Sequence, residues 1–413
     1  MRAVLQRIVV RGFSLLRDAW VVAGVTLALI LLLELGYRAQ AWVRSDAPPM
    51  RTSLLPGPPS AFDTVPWARE YLADHEKEER VLWEPFVYVR NPTFRGTQMN
   101  VDSAGHRVVP GPALKAPRRL RVFFLGGSTA FGWFQRDAYT LPSLTAARLR
   151  EIVPANVDVD LTNFGTPGHT FTQEVVMLML RLRNGERPDV VVFYDGINDV
   201  SSVIQRGIGG EPQNETRRSA DFERGRAAIE DAATGWRNDL RALARLSAGV
   251  LARSELAKRI SAGRDSTAPL VPADSATARL VSAYVGNVQV VEGLAKAFGF
   301  DVIYVWQPAF LSTTKPLTTR EQWFAEAGRV GSTNLMREIH IAAPAQLQRA
   351  VRPLVGERFV DGTPLFAKDS TEIYADVFGH TFEWANPTIV DAFWPPLSAA
   401  TKRALARRSA GNR

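Results

Sequence analysis

Between Arg119 and Asp361, short runs of β-branched and aromatic residues alternate with longer helical patterns, which limits the architectures open to this chain. Strands are expected at Arg119–Leu125, Val157–Asn163, Asp189–Tyr194, Phe300–Trp306 and Glu357–Asp361, each bounded by Pro, Gly, Asp or Asn. Helical patterns fall between them at about Leu141–Ile152, Thr172–Arg183, Ala276–Phe298 and Gln346–Val351, the last stopped by Pro353. Strands alternating with helices join through right-handed crossovers into a parallel sheet covered on both faces. Five of them predict an α/β chain, a flavodoxin-like three-layer α/β/α sandwich with a five-stranded parallel sheet.

The first strand runs into Leu125-Gly-Gly-Ser-Thr129. Two glycines let the backbone turn sharply, lift the Ser128 hydroxyl out at the carboxyl edge and leave room for a ligand. A serine hydroxyl is a poor nucleophile until a base takes its proton, so a histidine is required. There are five. His75, in Asp-His-Glu-Lys-Glu-Glu, is expected at the surface; His106 precedes the sheet; and His340, in Arg-Glu-Ile-His-Ile, is expected on a helix surface. His169 adjoins Gly168 and is a candidate to line a substrate pocket. His380 follows the last strand, with Asp376 four residues earlier, a spacing that shares a face of a helical turn and would let the carboxylate orient the imidazole.

Attack on an ester creates an oxyanion that needs preorganised donors. Three are on offer: the Ser128 N–H, the N–H of Gly168 in Asn163-Phe-Gly-Thr-Pro-Gly168, and the side-chain amide of Asn198. Gly196 permits the tight turn before Asn198, and Gly127, Gly196 and Asp199 are supporting residues. All three donors follow strand carboxyl ends and should converge on one edge of the sheet.

In this order the residues resemble the SGNH (GDSL-type) hydrolases, whose four blocks carry a Ser, a Gly, an Asn and an Asp-x-x-His. The resemblance spans about Arg119 to Phe393 and implies Ser128 as nucleophile, Gly168 and Asn198 as oxyanion donors and His380 as base. Three features depart from the pattern. The first block reads Gly-Gly-Ser instead of Gly-Asp-Ser, as in many membrane-anchored relatives. One extra residue separates Asp376 from His380, which leaves Glu372 and Asp369 as substitutes for the third member. Ala385 stands where a glycine is usual, and Asn386 is expected to N-cap a helix with Pro387 at its first position. Trp306-Gln-Pro308 and Lys315-Pro-Leu-Thr318 also look like an exported bacterial branch, with no chemistry attached. The resemblance implies an esterase, or an O-acyltransferase if a sugar hydroxyl replaces water, with an acylated glycan or lipid as substrate. The other class of reading is a catalytically weak SGNH-like component that binds or assembles envelope polysaccharide.

Other chemistries lack their signatures. Gly126-Gly-Ser-Thr-Ala-Phe-Gly132 has neither the lysine of a phosphate-binding loop nor the G-x-G-x-x-G of a dinucleotide fold, so no cofactor is expected. The histidines are too dispersed for a metal site, and the absence of cysteine excludes disulfides and thiolate chemistry. The formal charge is +8, but the basic residues are scattered and no nucleic-acid motif accompanies them, so no nucleic-acid partner is expected.

Residues 1–18 carry Arg2, Arg7, Arg11 and Arg17 ahead of an uncharged stretch from Ala19 to Leu33. Extended through Glu34 to Tyr37, the span 19–37 approaches the roughly 20 residues that a bilayer requires. Arginines before the span favour an amino terminus in the cytoplasm and a single-pass anchor, with the remainder periplasmic. A cleaved signal peptide is the rival, since Ala39-Gln-Ala41 resembles a cleavage site. Residues 38–61 read as a tether with a stiff proline-rich stretch from Ser45 to Pro59, residues 62–118 as a lead-in packing on the main domain, and residues 119–413 as the catalytic domain. A helical insertion at about 201–275 carries Arg217, Arg218, Arg224, Arg226, Arg237, Arg241, Arg245, Arg253, Lys258, Arg259 and Arg264. It reads as a lid, either a cap with a solvated basic face or a groove for an anionic substrate.

Overall fold

The computed structural model describes residues 2–45, 54–77, 81–232, 271–327 and 332–410. The chain divides into two units, one of Met1–Arg51 with Ala220–Pro269 and one of Thr52–Ser219 with Leu270–Arg413. In the first, Arg2–Ser45 is one 44-residue helix. Its part Trp20–Gln40, 21 residues, is long and apolar enough to cross a bilayer. Glu34 is paired within it to Arg38 at 2.8 Å.

In the second unit the helix Ala68–Lys77 is followed by the strands β1 (Leu82–Glu84), β2 (Tyr88–Arg90), β3 (Phe94–Arg95) and β4 (Asn100–Val101), which pair β1 with β2 and β3 with β4, both antiparallel. The main sheet follows: β5 (Arg118–Gly126), β6 (Val157–Asn163), β7 (Val190–Asp195), β8 (Asp301–Trp306) and β9 (Phe359–Asp361). All four of its pairings are parallel, in the order β6-β5-β7-β8-β9. This is the expected flavodoxin-like order. The chain steps from β5 outward to β6 and then returns past β5 to β7, so a crevice opens beyond the carboxyl ends of β5 and β7.

Alternation along the strands builds the two core layers. Phe123, Leu125, Val191, Phe193, Val302, Tyr304 and Trp306 face a core covered by the helices Phe171–Arg183, Ala273–Phe298 and Ser332–Val355. Val122, Phe124, Val190, Val192, Tyr194, Ile303 and Val305 face the other, under the helices Leu141–Ile152 and Asn386–Ala410. β7 is buried at every position, as a central strand sandwiched between helices must be.

The structure corrects the sequence reading at four places. The helix expected at Gln346–Val351 spans Ser332–Val355 and contains both Pro344 and Pro353. Leu335, Ile339, Ala343, Leu347, Val351 and Val355 form one buried stripe at helical spacing, and their burial outweighs the hydrogen bonds the prolines remove. Asn386 is not an extended N-cap. It lies in the helical region (φ −63°, ψ −36°) and sends its amide to the Tyr139 carbonyl at 2.7 Å. The end of the proline-rich tether is docked: buried Arg320 donates to the carbonyls of Pro58 (2.6 Å) and Pro56 (2.9 Å), which prolines leave free. Residues 46–53 lie outside the described residues. In the insertion, the helix Glu215–Ala232 pairs Arg218, Arg224 and Arg226 with acids three residues earlier, so these arginines do not form a bare basic face. Arg237 through Arg264 lie outside the described residues.

Candidate active site

β5 ends at Gly126, and after Gly127 the short helix Ser128–Phe131 begins. A side chain at Gly127 would place its Cβ 2.0 Å from the Asn198 amide nitrogen, so only glycine lets that amide approach the backbone beside Ser128. Ser128 Oγ lies 2.7 Å from His380 Nε2, and both residues are buried. His380 Nδ1 lies 2.6 Å from Asp376 Oδ2. The other carboxylate oxygen accepts from the backbone N–H groups of Phe378 (2.9 Å) and His380 (3.3 Å).

Asp376 and His380 do not meet across a helical turn, as their spacing suggests. They meet in a tight loop closed by the Ala375 N–H donating to the His380 carbonyl at 2.8 Å, with Gly379 at φ 83°. A left-handed glycine absorbs the additional residue between the two groups. Of the two substitutes, Glu372 is engaged elsewhere, accepting from Ser60 Oγ (2.6 Å) and the Ala61 N–H (2.8 Å). Asp369 accepts from the N–H (2.7 Å) and hydroxyl (2.6 Å) of Thr371.

The three expected donors each follow a strand of the main sheet: Ser128 after β5, Gly168 after β6 and Asn198 after β7. Asn198 follows β7 through Gly196, whose φ of 139° is a glycine conformation; an added Cβ there would press on Trp306 at 3.3 Å. The Asn198 amide donates one proton to the His169 carbonyl at 2.8 Å, and its oxygen accepts from Gln213 Nε2 at 2.8 Å. Its second amide proton is left for a ligand. Among the described residues, the N–H groups of Ser128 and Gly168 donate to no other backbone carbonyl.

Of the remaining histidines, His75 and His340 sit deeper than expected. The His169 ring is buried and donates through Nε2 to the Val89 carbonyl at 3.0 Å; burial lowers its pKa to about 4. The ring thereby holds the segment at Val89, and the His169 carbonyl reaches Asn198. His75 is half-buried and packs edge-on against Trp133, ring centroids 5.4 Å apart. His340 is wholly buried, which pushes its pKa down to about 3, so the apolar stripe of its helix extends over a position that reads as surface. His106 packs edge-on to Phe164 at 4.6 Å.

Asp199 is buried beneath the Asn198 turn and accepts the Phe171 N–H at 3.1 Å; desolvation raises its pKa to about 7. Burial also raises the neighbouring carboxyls of Glu174 and Asp195 well above their ordinary range. Among the described residues, no group of three or more His, Cys, Asp or Glu is arranged to hold a metal ion.

Four contributors escape sequence reasoning. Trp133 lies against the His380 ring at 4.9 Å, Gln213 orients Asn198, and Gln307 accepts from Thr129 Oγ1 at 3.2 Å. Glu321 is fully buried with Lys315 Nζ at 2.5 Å, and it accepts from the N–H groups of Ile373 (3.1 Å) and Tyr374 (3.4 Å), just ahead of the Asp376 loop. Lys315-Pro-Leu-Thr318 thus has a structural role, because Thr318 N–H donates to the same carboxylate at 2.9 Å. Only the Trp133-Phe134 pair, directly after the serine helix, carries a signal that sequence alone offers.

No protein-family model matches the sequence, and no curated protein sequence matches it. Among solved structures it is similar to an alpha/beta hydrolase enzyme from the metagenome of Lake Arreo, Spain, at 15% identity and TM-score 0.36, covering 70% of this chain and 97% of that one. It is similar to a carbohydrate acetylesterase family member from Sinorhizobium meliloti at 12% identity and TM-score 0.36, covering 68% and 99%. It is also similar to a member of the lipolytic protein G-D-S-L family from Veillonella parvula at 11% identity and TM-score 0.35, covering 66% and 94%.

Proposed function

We propose that this chain is an SGNH-type serine esterase that forms an acyl-enzyme on Ser128. The supporting observation is the continuous hydrogen-bonded chain Ser128 Oγ–His380 Nε2 (2.7 Å) and His380 Nδ1–Asp376 Oδ2 (2.6 Å) beyond the carboxyl end of β5. In this reading His380 takes the Ser128 proton as Oγ attacks the ester carbonyl. Asp376 holds Nδ1 protonated and stabilises the imidazolium that forms. The N–H groups of Ser128 and Gly168 and the Asn198 amide receive the oxyanion. His380 then returns the proton to the leaving alkoxide. Water, deprotonated by the same imidazole, attacks the acyl-enzyme and releases the acid with Ser128 restored.

The N-terminal helix, with Arg17 before its apolar part, supports a single-pass anchor with its amino terminus in the cytoplasm. Residues 19–37 would span the bilayer, and the catalytic domain would face outward. That location favours O-acetyl esters of cell-surface glycans or lipids as substrates.

The test is fluorophosphonate labelling of the full chain in detergent, beside Ser128→Ala and His380→Ala, with p-nitrophenyl acetate turnover in the same samples. Labelling and turnover lost in both variants support the reading. A folded wild-type protein that neither labels nor turns over refutes it. Acetyl transfer to an added oligosaccharide, faster than release to water, makes the same site an acyltransferase.

A further inference from the structure

We propose that a second pocket, walled by the β1–β2 hairpin, binds an anionic saccharide and serves as a subsite beside the Ser128 crevice. A cavity of about 460 Å³ lies between that hairpin, the turn Ser103–His106, the Phe164–Thr166 segment and the end of the helix Phe171–Arg183. This is the size of a small-ligand site. Arg90, Arg181 and Arg183 line it, with Glu84 as the single carboxylate in its wall.

The floor is apolar, formed by Phe164, Met177 and Val87, and the rim is charged. Arg181 lies over the Phe164 ring at 5.0 Å, and its Nη2 is 3.3 Å from His106 Nε2. That geometry requires a neutral imidazole accepting from the guanidinium. Arg181 also reaches Glu186 at 3.4 Å, and Arg90 reaches Glu84 at 3.2 Å, both partly exposed pairs that a ligand can displace at little cost. Arg183 is exposed and donates to the Asn184 side chain at 3.4 Å, so its guanidinium fork is open to an acidic group.

Phe86 lines the pocket yet is 68% exposed, and it holds a left-handed φ of 70° at the hairpin turn. Trp83, 66% exposed, packs on Tyr88 across the same hairpin. An aromatic face held out at the mouth of a cationic, hydrogen-bonding pocket suits the C–H face of a sugar that carries an acidic group. A dry acyl tunnel would have no use for the arginines.

The hairpin is bonded directly to the donor turn. The Val87 carbonyl accepts from Gln173 Nε2 at 2.7 Å, and the Val89 carbonyl from His169 at 3.0 Å. Thr166 lines the pocket and Gly168 lies two residues farther along the chain. A polymer seated here would lie against the segment that carries Gly168. Binding itself does not depend on the esterase reading, because no atom of the pocket is a reacting group.

The experiment uses the full chain in detergent carrying Ser128→Ala, which removes turnover as a variable. Binding of trigalacturonate, xylotriose and inorganic sulfate is measured by calorimetry at two salt concentrations, then repeated with Arg183→Gln and with Phe86→Asn, a residue that tolerates left-handed backbone. We expect one trigalacturonate bound per chain, weaker at high salt, and a loss of affinity of about 10-fold or more in each variant. Xylotriose and sulfate should bind at least about 10-fold less well. Saccharide binding unchanged by both substitutions, no binding of trigalacturonate, or sulfate binding as tightly as the trisaccharide each overturns the proposal. Turnover of p-nitrophenyl acetate by the unsubstituted chain is measured in parallel. Binding without turnover would sink the esterase reading and leave this one standing.

Discussion

Asp376→Asn tests whether the irregular Asp–His spacing still yields a working pair. The carboxylate accepts on both oxygens, from His380 Nδ1–H at 2.6 Å on one side and from the Phe378 and His380 N–H groups at 2.9 and 3.3 Å on the other. An amide cannot do both. With its oxygen toward the imidazole, its NH2 faces two backbone donors; with its NH2 toward the imidazole, Nδ1 becomes the acceptor and Nε2 carries the proton. Nε2 then donates to Ser128 Oγ and can no longer receive its proton. The first loss is a charge-assisted hydrogen bond, about 1.5–3 kcal/mol. Forcing the wrong tautomer or stranding the backbone donors costs about the same again. A sum of roughly 3–6 kcal/mol, at 1.36 kcal/mol per decade, lowers kcat about 10²- to 10⁴-fold. The readout is kcat for p-nitrophenyl acetate with circular dichroism as a fold control, beside Glu372→Gln and Asp369→Asn. Those two should stay within a few-fold of wild type in kcat, although Glu372→Gln should lower Tm because it loosens the Ser60 and Ala61 contacts. Asp376→Asn within 10-fold of wild type, or Asp369→Asn as damaging as Asp376→Asn, would refute the assignment.

Asn198→Ala should lower kcat about 10²- to 10³-fold with little change in KM, since the donor acts on charge that develops in the transition state. Gly127→Ala should do nearly the same damage, because its Cβ would sit 2.0 Å from the Asn198 amide nitrogen and displace it. Kinetics of the double variant check the shared cause: it should be no worse than the poorer single variant, whereas additive losses would separate the two effects. His340→Leu addresses pH. Burial holds the folded pKa at about 3, below its ordinary 6.5, so this group favours the folded state fully above pH 6.5 and loses that contribution as pH falls toward 3. By pH 5 the wild type has lost about 2 kcal/mol through this residue. Urea titrations of both proteins should show the variant gaining about that much relative to wild type between pH 8 and pH 5; a difference that does not vary with pH contradicts the neutral, buried imidazole.

The sheet is legible in the sequence almost residue by residue. Each expected strand overlaps the observed one; the strand Val157–Asn163 and the helix Leu141–Ile152 coincide with expectation at both ends. Period-2 alternation and glycine after strands are local properties, so a linear reading recovers them. The Ser128, Gly168 and Asn198 blocks are legible for the same reason: each is a turn chemistry written within a few residues of a strand end. The helix through Pro344 and Pro353 is not, because a stripe of buried side chains overrides the local propensity of proline. Nor is the burial of His340, which is set by what packs against its helix.

By itself, then, the sequence determined the layers, the strand-end placement of Ser128, Gly168 and Asn198, and the apolar N-terminal helix. The tertiary structure separated Asp376, the carboxylate that the sequence favoured, from its substitutes Glu372 and Asp369, because the direction of one loop brings only Asp376 to His380. It also supplied the supports of that loop and of Asn198, from Lys315 and Glu321 on one side and Gln213 on the other. Such partners lie far apart along the chain or beyond any periodic signal. Their pairing is favoured by the cost of burying a charge or an amide without a partner once the core has closed.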